Sequence, residues 1–117
     1  MTETNKQYDL EDRTHNFAKQ VRAFIRRIPR TISNIEDGKQ LARASGSVGA
    51  NYIEANESLS KKDFQMRIKI CRKEAKEARY WLRLVSINDS ELEKERQFLT
   101  GEATELMNIF GAIIRKS

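Results

Sequence analysis

A single proline, Pro29, and only five glycines in 117 residues leave this chain few places to turn. Apolar residues recur instead at steps of three and four, the period of an amphipathic helix. The first such run extends from about Leu10 to Ile28 and puts Leu10, Phe17, Val21, Phe24, Ile25 and Ile28 on one face. Pro29 disfavours helical geometry in the residue before it and ends the run. Ser33 followed by Glu36 reads as a capping box opening a second helix, expected over 34–57. Ser60 with Asp63 opens a third over 61–86, and Ser90 with Glu93 a fourth over 91–115. The fourth turns Leu92, Leu99, Ala103, Leu106, Phe110, Ile113 and Ile114 to one side.

The last three segments match in length, at roughly 36–39 Å each for a rise of 1.5 Å per residue. Matched helices on short connections predict an all-α, antiparallel up-down four-helix bundle. Strand-like alternation and Asn-Gly turns are absent, and one domain is expected over 1–117.

Charge is distributed unevenly over this frame. The chain carries +5, yet residues 61–87 alone carry +6, from nine Lys/Arg against Asp63, Glu74 and Glu77. Residues 10–30 carry +4, whereas 31–60 and 88–117 carry −2 each and 1–9 carry −1. On the third helix Phe64, Ile68, Cys71, Ala75, Ala78, Leu82 and Val85 share the core face. Lys62, Lys69, Arg72, Lys73, Lys76, Arg79 and Arg83 fall on an adjacent flank, with Tyr80 at its edge. Surface helices usually set an acid four residues from a base, but Glu74 and Glu77 lie on the opposite flank. A one-sided basic stripe follows a phosphate backbone without reading bases. Nucleic acid, RNA in preference, is therefore the expected partner, met by Lys69, Arg72, Lys73, Lys76, Arg79 and Arg83. Arg22 and Arg26 of the first helix extend that surface. The first and third helices should sit diagonally in such a bundle.

A second apolar strip on the third helix, Met66, Ile70 and Trp81 with Glu77 among them, exceeds what one core requires and points to a subunit interface. In the second helix Ala42, Gly46, Gly49 and Ile53 share a side, where missing side chains let a neighbouring helix approach closely. The segment around Gly46 is neither a phosphate-binding loop, lacking Gly-Lys-Ser/Thr, nor a nucleophile elbow. Cys71 and His15 are each alone, no His/Cys cluster suits zinc, and no Glu-x-x-His motif is present. Neither a catalytic site, a metal nor a cofactor is expected. The polar start MTETNKQYDLEDR is unlike a signal peptide, and no apolar run approaches the roughly 20 residues of a membrane span. With one cysteine, a cytoplasmic setting is expected.

The stretch Ser47-Val48-Gly49-Ala50-Asn51-Tyr52, with Glu54-Ala55, resembles the signature of a bacterial four-helix-bundle family. That family was first noticed in intervening sequences of 23S ribosomal RNA genes. Lys73-Glu74-Ala75-Lys76-Glu77-Ala78-Arg79-Tyr80-Trp81-Leu82 resembles its second hallmark, and Ser60-Lys61-Lys62-Asp63-Phe64 the usual opening of its third helix. The likeness runs from Tyr8-Asp9-Leu10 to the last helix. It implies a bundle that assembles as a homopentamer and carries no established biochemical activity. The bundle is also similar to accessory proteins of diversity-generating retroelements, basic pentamers that work with a reverse transcriptase and its RNA. A protein–protein scaffold, or an accessory subunit for such a reverse transcriptase, is thus the alternative expectation. Asn51 belongs to the recognisable motif, but the sequence offers no physical reason for an amide there.

Overall fold

A computed structural model describes the backbone of residues 3–117 and the side chains of residues 10–117. The resemblance begins at Tyr8 and Asp9, whose side chains lie outside the described residues, as do those of the polar start before Leu10. Four helices follow one another: α1 (Glu3–Arg27), α2 (Ile32–Asn56), α3 (Lys61–Leu84) and α4 (Ser90–Lys116). Among the described residues there is no strand. Each helix touches two neighbours, in the cyclic order α1, α2, α3, α4, so α1 lies diagonally from α3. The bundle measures 45 × 27 × 19 Å.

The apolar faces meet along the bundle axis. Phe17, Val21 and Phe24 of α1, Leu41 and Val48 of α2, Ile68 and Leu82 of α3, and Leu99, Leu106 and Phe110 of α4 are buried. Tyr52 reaches across the core to Phe110, with ring centroids 6.0 Å apart. Burying one such side chain contributes about 1.5–3 kcal/mol.

Two helix caps differ from those expected. Thr31, not Ser33, caps α2, its hydroxyl accepting from the Asn34 N–H at 3.1 Å. The reason lies in Asn34, which is buried. Its amide donates to the Pro29 and Ser86 carbonyls at 2.9 and 2.8 Å, and its oxygen accepts from the Ser86 N–H at 2.9 Å. Asn34 thus ties the α1–α2 connection to the α3–α4 connection, and the cap falls three residues before it. Asp89, not Ser90, caps α4 by accepting from the Leu92 N–H at 2.8 Å. Ser60 caps α3 through the Asp63 N–H at 3.0 Å. The third helix ends at Leu84 rather than 86. Arg96 of α4 then donates to the Val85 carbonyl at 2.6 Å and reaches those of Leu82 and Arg83 at 3.5 Å. These carbonyls at the helix end are beyond the reach of the intrahelical ladder. The first helix begins at Glu3, seven residues before the expected Leu10.

Candidate nucleic-acid interface

The two flanks of α3 meet different neighbours. Glu74 and Glu77 turn toward α2, where Arg43 Nη2 lies 3.3 Å from Glu74 and 3.6 Å from Glu77. Glu74 is 9% exposed, so this pair holds the α2–α3 seam with its charge satisfied. Further down the same seam, Arg67 donates to Asn51 Oδ1 at 3.1 Å while the Asn51 amide donates to the Ser47 carbonyl at 2.8 Å. An amide at position 51 is thereby explained. It links the α2 backbone to an arginine of α3, which needs a donor and an acceptor on one side chain.

The opposite flank carries the basic stripe and faces α4. Lys69, Arg72, Lys73, Lys76 and Arg83 are exposed, and none makes an ion pair among the described residues. Arg79 is half-buried and donates to Thr104 Oγ1 at 3.1 Å, which fixes its guanidinium against α4. The expected phosphate-facing side chains of α3 therefore share one side of the bundle, spread over about 21 Å of helix.

On α1 the basic residues divide differently. Arg13 makes a fork to Glu102 at 2.7 and 2.9 Å and adds Glu105 at 3.0 Å. These carboxylates hold its proton more tightly than usual. Arg27 pairs with Glu95. Both arginines thus close the α1–α4 seam. Arg22 lies across Gly46 and donates to the Ala18 and Ala42 carbonyls at 3.3 and 3.2 Å, although it stays exposed. Arg26 is exposed and makes no ion pair among the described residues. Neither Arg22 nor Arg26 adjoins the α3 stripe, because α1 and α3 are diagonal.

The small-residue row of α2 faces α1. A Cβ at Gly49 would lie 2.9 Å from Thr14 Oγ1 and 3.3 Å from Thr14 Cβ, so glycine is what lets the helices close there. At Gly46 a Cβ would meet the tip of Arg22 at 3.1 Å, a flexible side chain able to move. Ala42 is half-buried, and Ile53, 51% exposed, stands at the open end of the row. His15 is exposed on the rim of the shallow groove between α1 and α2.

The second strip of α3 is half covered by its own bundle. Ile70 and Trp81 are half-buried, Trp81 packs on the core, and Tyr80 meets its ring edge-on at 5.0 Å. Met66 remains 49% exposed, and Leu84, equally exposed, lengthens the strip. Glu77 sits among them, half-buried and paired with Arg43. Cys71 is buried, and burial pushes its thiol up to about 12, which leaves it protonated and inert. No group of three His, Cys, Asp or Glu able to hold a metal ion occurs among the described residues.

The family model of the 23S rRNA-intervening sequence proteins matches residues 6–112. The chain belongs to this family. A solved structure of a protein of unknown function from the S23 ribosomal protein family, from Bacteroides thetaiotaomicron, has the same fold. The two are 25% identical with a TM-score of 0.79, over 94% of this chain and 98% of the other. No curated protein matches. Among the described residues of this family member, no helix is long and apolar enough to cross a membrane.

Proposed function

We propose that this protein is a non-enzymatic, oligomeric helical bundle that binds nucleic acid, RNA in preference, through the basic flank of α3. One observation carries the reading: five exposed cations of that flank have no ion-pair partner among the described residues, while Glu74 and Glu77 of the same helix are taken up by Arg43. Cations so placed neutralise phosphates and release counterions without reading sequence. Lys69, Arg72, Lys73, Lys76, Arg79 and Arg83 make the contacts, and Arg22 and Arg26 add a weaker second patch. Subunits meet along Met66, Ile70, Glu77 and Trp81, in a ring of five as the family resemblance implies, within the cytoplasm. Fluorescence anisotropy against a structured RNA, titrated over salt, tests the binding. Log affinity should fall with log salt by about 0.7–0.9 for each phosphate neutralised. No binding at low salt would leave a basic bundle that meets a protein partner, the scaffold reading. Trp81→Glu should lower the assembled mass in light scattering, and an unchanged mass would remove the strip as the interface.

A further inference from the structure

Gly111 of α4 is buried, and two cations stand over it. A Cβ built there would lie 3.4 Å from Arg115 Nη1 of α4 and 3.9 Å from Arg72 Nη1 of α3. Both arginines are exposed, and neither forms an ion pair among the described residues. Two guanidiniums converging from different helices repel each other unless an anion lies between them. The missing side chain at 111 leaves room at the point of convergence.

Farther along the same seam Arg79 is held by Thr104. That places guanidiniums at two levels of the α3–α4 seam, seven residues or about 10 Å apart along α3, with the Arg79 one fixed by its hydrogen bond. Lys69 and Lys76 lie exposed on the α3 side of the seam. Aromatic side chains are nearly absent from it. Tyr80 lies at the edge with its ring against Trp81, and Phe98, the other well-exposed aromatic among the described residues, is on the far flank of α4 beside Arg13 and Glu102.

Surfaces that hold single strands stack bases on rows of aromatic rings, and among the described residues this one offers only Tyr80, at its edge. A row of cations carried on rigid helices, with little to stack on, suits a backbone whose bases are already paired, recognised by its shape and phosphates. Resting on the nucleic-acid reading above, we infer that the α3–α4 seam is a seat for double-helical RNA. Arg72 and Arg115 grip one phosphate over Gly111 as its anchor.

The test compares a duplex RNA hairpin with an unstructured single strand of equal length, by anisotropy over a range of salt. Wild type, Arg115→Gln and Lys116→Gln are measured, the last an exposed neighbour off the seam. The hairpin should bind more tightly than the single strand. Arg115→Gln should lower its salt slope by about 0.9 and its affinity about eightfold at 0.1 M salt. Lys116→Gln should change both less. Circular dichroism should show all three equally helical, since both substituted residues are exposed. Single-strand binding as tight as hairpin binding would overturn the duplex seat while the RNA reading stands. Equal losses from the two variants would overturn the anchor, leaving only net charge. Failure of both RNAs to bind at low salt would overturn the nucleic-acid reading itself, and the seat with it.

Discussion

α1 and α3 are the two basic helices, yet their charges have different fates. On α1, Arg13 and Arg27 are neutralised by Glu102, Glu105 and Glu95 of α4, and Arg22 is bonded to the α2 backbone. On α3, Lys69, Arg72, Lys73, Lys76 and Arg83 find no carboxylate among the described residues, although α4 is a neighbour there as well. The difference originates in α4. Its flank toward α1 carries Glu95, Glu102 and Glu105, whereas its flank toward α3 carries Thr100, Thr104, Gly111 and Arg115. Glu93, the exception near the α3 end, is paired with Arg96, whose hydrogen bond holds its carboxyl below the usual range. A segment's net charge therefore says little about binding until its neighbours are known. One cationic helix fastens the bundle and the other is left facing outward.

Several changes would break or sharpen this contrast. The largest effect is expected from Lys69→Glu, Lys76→Glu and Arg83→Glu combined. Removing three phosphate contacts at about eightfold each should weaken RNA binding at 0.1 M salt by roughly 500-fold, and reversal adds repulsion. Helicity by circular dichroism should stay as it is, because all three residues are exposed. Unchanged affinity would dismiss the α3 flank as the binding surface. A smaller loss, about threefold to tenfold, is expected from Arg22→Gln with Arg26→Gln, since that patch stands apart from the stripe. A loss as large as that of the α3 variant would erase the contrast. Smallest in binding, Arg13→Gln with Arg27→Gln should leave RNA affinity within about twofold, because those charges are already neutralised. The cost there is stability, about 1–2 kcal/mol for the two partly exposed pairs together, read as a lower urea midpoint. A variant as stable as wild type would show that the α1–α4 ion pairs do not hold that seam.

How much of this was legible beforehand depends on the kind of signal. The four helices followed from apolar periodicity, because a helix that buries one face repeats its pattern every three to four residues, and their order around the core from matched lengths and short connections. Helix starts were less so. Thr31 and Ser33 are both acceptable caps, and the choice between them is made by Asn34, whose partner Ser86 is 52 residues away. The α3 stripe was readable because its residues lie on one helix. The fate of Arg13 and Arg27 depended on another helix, although Glu95 and Glu102, seven residues apart, marked one acidic flank of α4. Arg96 as the cap of α3, and Arg115 beside Arg72, had no local pattern to reveal them. Each became visible only once α3 and α4 were side by side.

The most direct test removes equal charge from the two helices and compares salt slopes. Lys76→Gln with Arg83→Gln takes two cations from α3, and Arg13→Gln with Arg27→Gln takes two from α1, leaving the same net charge. Against one structured RNA, the α3 variant should lose about 1.4–1.8 from the slope of log affinity on log salt, and the α1 variant close to none. Equal losses would mean that RNA responds to the overall charge of the protein, contradicting a binding surface centred on the unpaired flank of α3.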